Sequence, residues 1–145
     1  MSRLNLNAVG MRPIVHVLNT LRAVLPPCHV THVGAGSGLG DLHAWRQWSE
    51  LSALLIDADE ERLHWAHEEC SNKSDWRVIS ATLAASEQEV SYFTASNPDE
   101  DGLLDPVLLN TLWPNLRSII NTTRSATTLD KLVPGNAGVN DKGLN

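Results

Sequence analysis

Four glycines at alternate positions, Gly34, Gly36, Gly38 and Gly40, follow directly on the β-prone run His29-Val30-Thr31-His32-Val33 and constrain this chain more than any other stretch. A residue without a Cβ tolerates positive φ and lets a ligand lie against the main chain, while the amides of a following helix face the bound group. The segment therefore reads as strand, ligand-cradling loop and helix. A second signal lies one strand later. Ala53-Leu54-Leu55-Ile56 is continuously apolar and ends at Asp57, 19 positions beyond Gly38. An acidic residue about 20 residues past such a turn is placed to accept hydrogen bonds from ribose hydroxyls. Together the two signals predict a nucleoside-cofactor site; a glycine-rich turn without a ligand is the plainer alternative.

Glycine spacing discriminates among cofactors. A dinucleotide fingerprint beginning at Gly34 requires glycine at position 39, and one beginning at Gly36 requires it at 41, but the chain has Leu39 and Asp41. A phosphate-binding P-loop fails as well, because no Lys or Arg falls between His29 and Arg46. Gly34-Ala35-Gly36-Ser37-Gly38 instead resembles motif I of the S-adenosylmethionine-dependent methyltransferases, with Asp57 at the place of their acidic ribose ligand.

With 145 residues and 42% hydrophobic content, the chain is long enough for one domain with one core. Its net charge of −6 and pI near 5.4 supply no basic field of the kind that drives sequence-independent nucleic-acid binding, so nucleic acid is not an expected partner. Cys28 and Cys70 form neither a metal-type pair nor a disulfide framework, which predicts a reducing compartment. The amino terminus shows no basic segment leading into a long apolar run, and nowhere do about 18 apolar residues stand in succession. A cytoplasmic protein with no membrane partner is expected.

Residues 1–12 are polar and unpatterned. Pro13 then opens a helical spacing through Ile14, Val17, Leu18, Leu21 and Leu25, which Pro26-Pro27 stops. After the glycine loop, Leu39, Leu42, Trp45 and Trp48 suggest a crossover helix with a bulky apolar stripe toward the sheet. Asp59 opens a second helix as its N-cap, with Glu60 and Glu61 in the first turn and Leu63, Ala66 and Cys70 on the buried face. Trp76 to Ala81 reads as the third strand, followed by Thr82 to Ala85 and by a strand Val90 to Thr94 in hairpin-like succession. The segment Ala95 to Gly102, with its three acids, reads as a solvated turn. A short helix is expected over Asp105 to Leu112, a strand over Leu116 to Thr123 and a helical turn over Thr128 to Val133. Residues 134–145 have too little apolar content to pack and read as a flexible tail.

The histidines do not compose a metal centre. His64 and His67 share a helix face but lack a second ligand pair at a diagnostic spacing. His29 and His32, three apart on a strand, point to opposite faces.

The order of these segments resembles the amino-terminal part of an FkbM-type methyltransferase. The resemblance spans residues 29–133 and rests on His32 to Gly38, on Leu55-Ile56-Asp57-Ala58-Asp59, on Ser80-Ala81-Thr82-Leu83-Ala84, on the strand Val90 to Thr94 with its loop, and on the turn Thr128-Leu129-Asp130. It implies a Rossmann-like α/β fold of class I methyltransferase type over residues 13–133, truncated after the first strands, and S-adenosylmethionine as cofactor. Gly34, Ala35, Gly36, Ser37, Gly38, Asp57 and Ala58 are then the cofactor-binding residues, and the acceptor is a small molecule or a sugar-like hydroxyl. Two departures accompany the match. Ser80-Ala81-Thr82 lacks the polar or acidic contact to adenine, and the family's next strand is absent. The first strand is thus expected at an open sheet edge, prone to self-association or to completion by a partner chain. No residue suits the role of general base, since His32 lies early in the first strand. A non-catalytic cofactor-binding remnant and a nicotinamide-type oxidoreductase fragment are the alternative readings.

Overall fold

A computed structural model describes residues 13–48 and 51–133. The segments 1–12 and 134–145, read above as an unpatterned stretch and a flexible tail, lie outside the described residues. Two small sheets build the α/β fold. The first holds β1 (His29–Val33), β2 (Ser52–Asp57) and β3 (Trp76–Ser80), all parallel, in the order β1-β2-β3. The register aligns Val33 with Ile56 and Asp57 with Ser80, so the carboxyl ends of the three strands form one rim.

β2 is the buried strand. Ala53, Leu54, Leu55 and Ile56 are each at most 1% exposed, which explains the uninterrupted apolar run: a parallel strand covered on both faces has no position for a polar side chain. Ala53 and Leu55 join one face of the core with Ala35, Trp45, Trp48, Leu51, Leu63, Ala66 and Trp76. Leu54 and Ile56 alternate onto the opposite face. Each such Leu or Ile stabilises the fold by about 1.5–3 kcal/mol relative to exposure.

Two helices flank this sheet. α1 (Pro13–Val24) begins on proline as expected, yet it buries none of its residues fully, and Leu18 alone of its apolar stripe packs on the core cluster. Val17, Leu21 and Val24 stay exposed. α2 (His64–Cys70) follows a single 3-10 turn, Glu61–Leu63. Asp59 is not the N-cap, a position taken by Glu60 at the 3-10 turn and Leu63 at the α-helix; its carboxylate, just ahead of the turn, instead accepts from the Glu61 N–H at 3.0 Å.

The second sheet has the order β4-β6-β5, with β4 at Thr82–Leu83, β5 at Gln88–Ala95 and β6 at Ser118–Thr127. β6 runs antiparallel to β5 and parallel to β4. The chain passes between the sheets at Ala81, whose N–H donates to the Asp57 carbonyl at 2.8 Å. A last short helix, α3, covers Leu129–Leu132. Among the described residues no helix is long and apolar enough to cross a membrane.

Several expectations are corrected. The segment after the glycine loop is a 3-10 helix, Asp41–Gln47, rather than an α-helix. With that tighter turn only Trp45 and Trp48 face inward, while Leu39 and Leu42 are exposed. β5 does not pair with its sequence neighbour β4, because β6 lies between them. β6 itself starts at Ser118 and runs to Thr127, beyond the expected end at Thr123. Over Asp105 to Leu112 the helix contracts to a 3-10 turn, Pro106–Leu109, capped by the Asp105 carboxylate on the Val107 N–H.

Candidate functional site

The glycine loop leaves β1 and folds back over the end of β2. Gly34 and Ala35 both donate their N–H to the Ile56 carbonyl, at 2.9 and 3.1 Å. The next amide, that of Gly36, donates to Asp57 Oδ2 at 2.6 Å, while Asp57 Oδ1 accepts from the Asp59 N–H at 2.9 Å. Asp57 therefore ties the loop after β1 to the loop after β2 through charge-assisted hydrogen bonds, which are the stronger kind. A carboxylate offers about four lone-pair sites, so further acceptor capacity remains.

All four loop glycines take positive φ: 74° at Gly34, 50° at Gly36, 74° at Gly38 and 102° at Gly40. Gly38 has the additional steric reason. A Cβ there would stand 2.5 Å from the Trp65 ring. Trp65 is pinned in place by its indole N–H, which donates to the Gly36 carbonyl at 2.8 Å, and by the Arg46 guanidinium 4.2 Å over its ring. Around Gly34 a Cβ would meet nothing within 4 Å.

A cavity of about 410 Å³ opens at this rim. Gly34, Ala35, Gly36, Ser37 and Asp57 line it, so most of the residues expected to hold a cofactor are gathered there. Gly38 instead borders a neighbouring cavity, and the Ala58 carbonyl accepts from Arg124 Nη1 at 2.6 Å. The far wall comes from the second sheet and its loop: Tyr92, Asp99 and Asp101. Arg62 holds that loop against the glycine turn, donating to the Pro98 carbonyl at 2.6 Å and to Asp99 Oδ1 at 2.5 Å. Asp101 braces the loop from within by accepting from the Ala95 N–H at 2.7 Å. The three acids read as a solvated turn thus belong in part to the cavity wall.

His32 also lines the cavity. The Trp45 indole N–H lies 3.3 Å from His32 Nδ1; an indole can only donate, so Nδ1 accepts and the ring proton sits on Nε2. The His32 pKa is lowered to about 4, chiefly by burial and also by the nearby His43, with Asp57 opposing both. The two imidazoles stand 4.6 Å apart between centroids. His43 Nε2 donates to the Ala35 carbonyl at 2.8 Å, and its Nδ1 is buried without a partner among the described residues. Tyr92 has its phenol pKa raised by burial, an effect that Arg124, 3.7 Å over the ring, opposes.

Comparison with family models, with curated proteins and with solved structures finds no match to this chain. The site is therefore defined by its own geometry. His32 was legible in principle, since strand alternation puts it on one face of β1 just before the first glycine. Arg62 and Asp99 were not, because they meet across 37 positions of sequence and no local pattern marks the pairing.

Proposed function

We propose that this chain is a nucleoside-cofactor domain of Rossmann-like, class I methyltransferase layout, that it binds S-adenosylmethionine, and that it belongs with the FkbM-type enzymes transferring a methyl group to a hydroxyl of a small or sugar-like acceptor. One observation carries the reading: Asp57, at the carboxyl end of a buried parallel strand, is hydrogen-bonded to the glycine-loop amide of Gly36 and faces the cavity at the strand rim. Ligands of open parallel sheets lie outside the carboxyl ends of the strands.

The charge of the wall favours this cofactor over a dinucleotide. Asp57, Asp99 and Asp101 line it, and its Arg62 is already engaged by Asp99. Such a field suits a sulfonium cation and repels a pyrophosphate. When bound, the cofactor supplies an electrophilic methyl group. The chain's part is to hold and orient: Gly34 and Gly36 admit a ligand to the backbone, Asp57 accepts from ribose hydroxyls, and neutral His32 offers an N–H donor. Competition between NADH and S-adenosylmethionine, followed by calorimetry, tests the choice. Saturable binding of S-adenosylmethionine that NADH does not displace is expected; preferential binding of NADH would replace this reading with that of an oxidoreductase.

A second reading, a cofactor-binding unit without transfer activity that a partner chain completes, is favoured by the open flank of β1. Among the described residues β1 pairs with β2 alone, and Val33 beside that edge is 51% exposed. Sedimentation of the purified chain separates the two, since a strictly monomeric, cooperatively melting sample removes the case for completion.

A further inference from the structure

Beside the glycine loop lies a second cavity of about 560 Å³, bordered by Gly38, His43, Arg46, Glu69, Asn72 and Lys73. Its volume is within the ~300–1,000 Å³ of small-molecule sites. Two cations converge there on one carboxylate. Arg46 Nη2 is paired with Glu69 Oε1, and Lys73 Nζ lies 3.6 Å from Glu69 Oε2. That separation is an ion pair rather than a hydrogen bond, so the three N–H donors of Lys73 are not spent on Glu69. Arg46 commits Nη1 to the Gly38 carbonyl and Nη2 to Glu69, and a guanidinium has five N–H donors in all.

The positive excess is held partly out of water. The Arg46 and Lys73 side chains are 28% and 36% exposed. Burial lowers the pKa of both, and the Arg46 charge lowers that of Lys73 further while Cys70 opposes. Both cations are also fixed in position by rings: Arg46 over Trp65 at 4.2 Å and Lys73 over Trp76 at 3.7 Å. An adjoining cavity of about 400 Å³ shares Arg46, Asn72 and Lys73 and carries Asp75 on its own lining. In a chain with a net charge of −6, this is a local, preorganised excess of positive charge.

We propose that Arg46 and Lys73, with Asn72 beside them, form a binding site for a phosphate-type oxyanion, separate from the Asp57 cavity. Arg46 offers the N–H donors not committed to Gly38 and Glu69, and Lys73 a point charge, a combination suited to a tetrahedral anion. Because Arg46 also holds the Gly38 carbonyl, an occupied site braces the back of the glycine loop.

The tryptophans under both cations provide the readout. Inorganic phosphate and a sugar phosphate are titrated separately into the full chain at constant ionic strength, against chloride, and tryptophan fluorescence is followed. A saturable change is expected, weakened at least tenfold in Lys73→Gln and in Arg46→Gln and retained in Lys131→Gln. Circular dichroism verifies each fold; should Arg46→Gln unfold, Lys73→Gln decides alone. Tighter binding of the sugar phosphate assigns a phosphorylated metabolite, and equal binding assigns free phosphate. No saturable change, or one that survives Lys73→Gln undiminished, overturns the proposal. The titrations contain no S-adenosylmethionine, so their outcome is independent of its binding.

Discussion

Asp57 and Gly38 show how single residues serve the loop in different ways. Asp57 contributes two accepted hydrogen bonds, whereas Gly38 contributes an absence, the missing Cβ that lets Trp65 close over the turn. Gly38→Ala is therefore expected to lose about 1–2 kcal/mol from its left-handed backbone and roughly 1–3 kcal/mol more from overpacking against the ring. Gly34→Ala, with open space around its Cβ, loses the backbone part alone. Urea denaturation of the two variants checks this, and equal losses would contradict the steric role of Trp65. His32 yields a pH prediction. Its folded pKa is about 4 against an ordinary 6.5, so between those values the unfolded chain binds the extra proton and folding weakens as pH falls. Above about 6.5 the ring is neutral in both states and the effect vanishes. Denaturant midpoints measured at pH 7 and pH 5 should diverge less for His32→Phe than for the native chain; parallel profiles would show that His32 does not titrate in this way. At this scale Asp57 and the glycines were legible because their chemistry is encoded by spacing. His32 reads as early in the strand, yet alternation along β1 turns it toward the cavity at the rim.

Among the elements, β2 and β3 followed the sequence closely, since a run such as Ala53 to Ile56 has few ways to hide except between two covered faces. The crossover segment did not. Leu39 and Leu42 match helical periodicity as well as Trp45 does, but the 3-10 geometry of Asp41–Gln47 turns the stripe, and only the tryptophans reach the core. Pairing of β5 with β6 was equally hidden, because Tyr92 meets Thr122 across some 30 positions and β4 stays next to β5 in sequence alone. The loop between Ala95 and Gly102 is held to the site chiefly by Arg62. That ion pair is 22% exposed on the arginine and 75% on the aspartate, so it is worth only about 0.2–1 kcal/mol globally. Arg62→Ala is consequently expected to leave the melting transition almost unchanged while speeding amide exchange at Glu100, Asp101 and Gly102. Unchanged exchange at those amides would mean that the Asp101 brace suffices.

Across the whole molecule, the cavity is the place where the two sheets meet: the rim of β1 and β2 supplies the glycine loop and Asp57, and β5 with its loop supplies Tyr92, Asp99 and Asp101. Arg124 on β6 strengthens the junction through the Ala58 carbonyl. The parallel half of this arrangement could be read from the sequence, whereas the second sheet could not, because its strand order depends on contacts that no periodicity records. We propose that the joined loops bind S-adenosylmethionine through Asp57. Calorimetric titration of the folded chain with S-adenosylmethionine, repeated on Asp57→Ala and Asp57→Asn, tests it most directly. The expected result is saturable binding by the native chain that is weakened at least tenfold, about 1.4 kcal/mol, in Asp57→Ala while circular dichroism shows the fold retained, with Asp57→Asn between the two. Absence of heat from the native chain, together with no thermal stabilisation where about 2.7 kcal/mol is expected at a hundredfold excess over Kd, would contradict the claim.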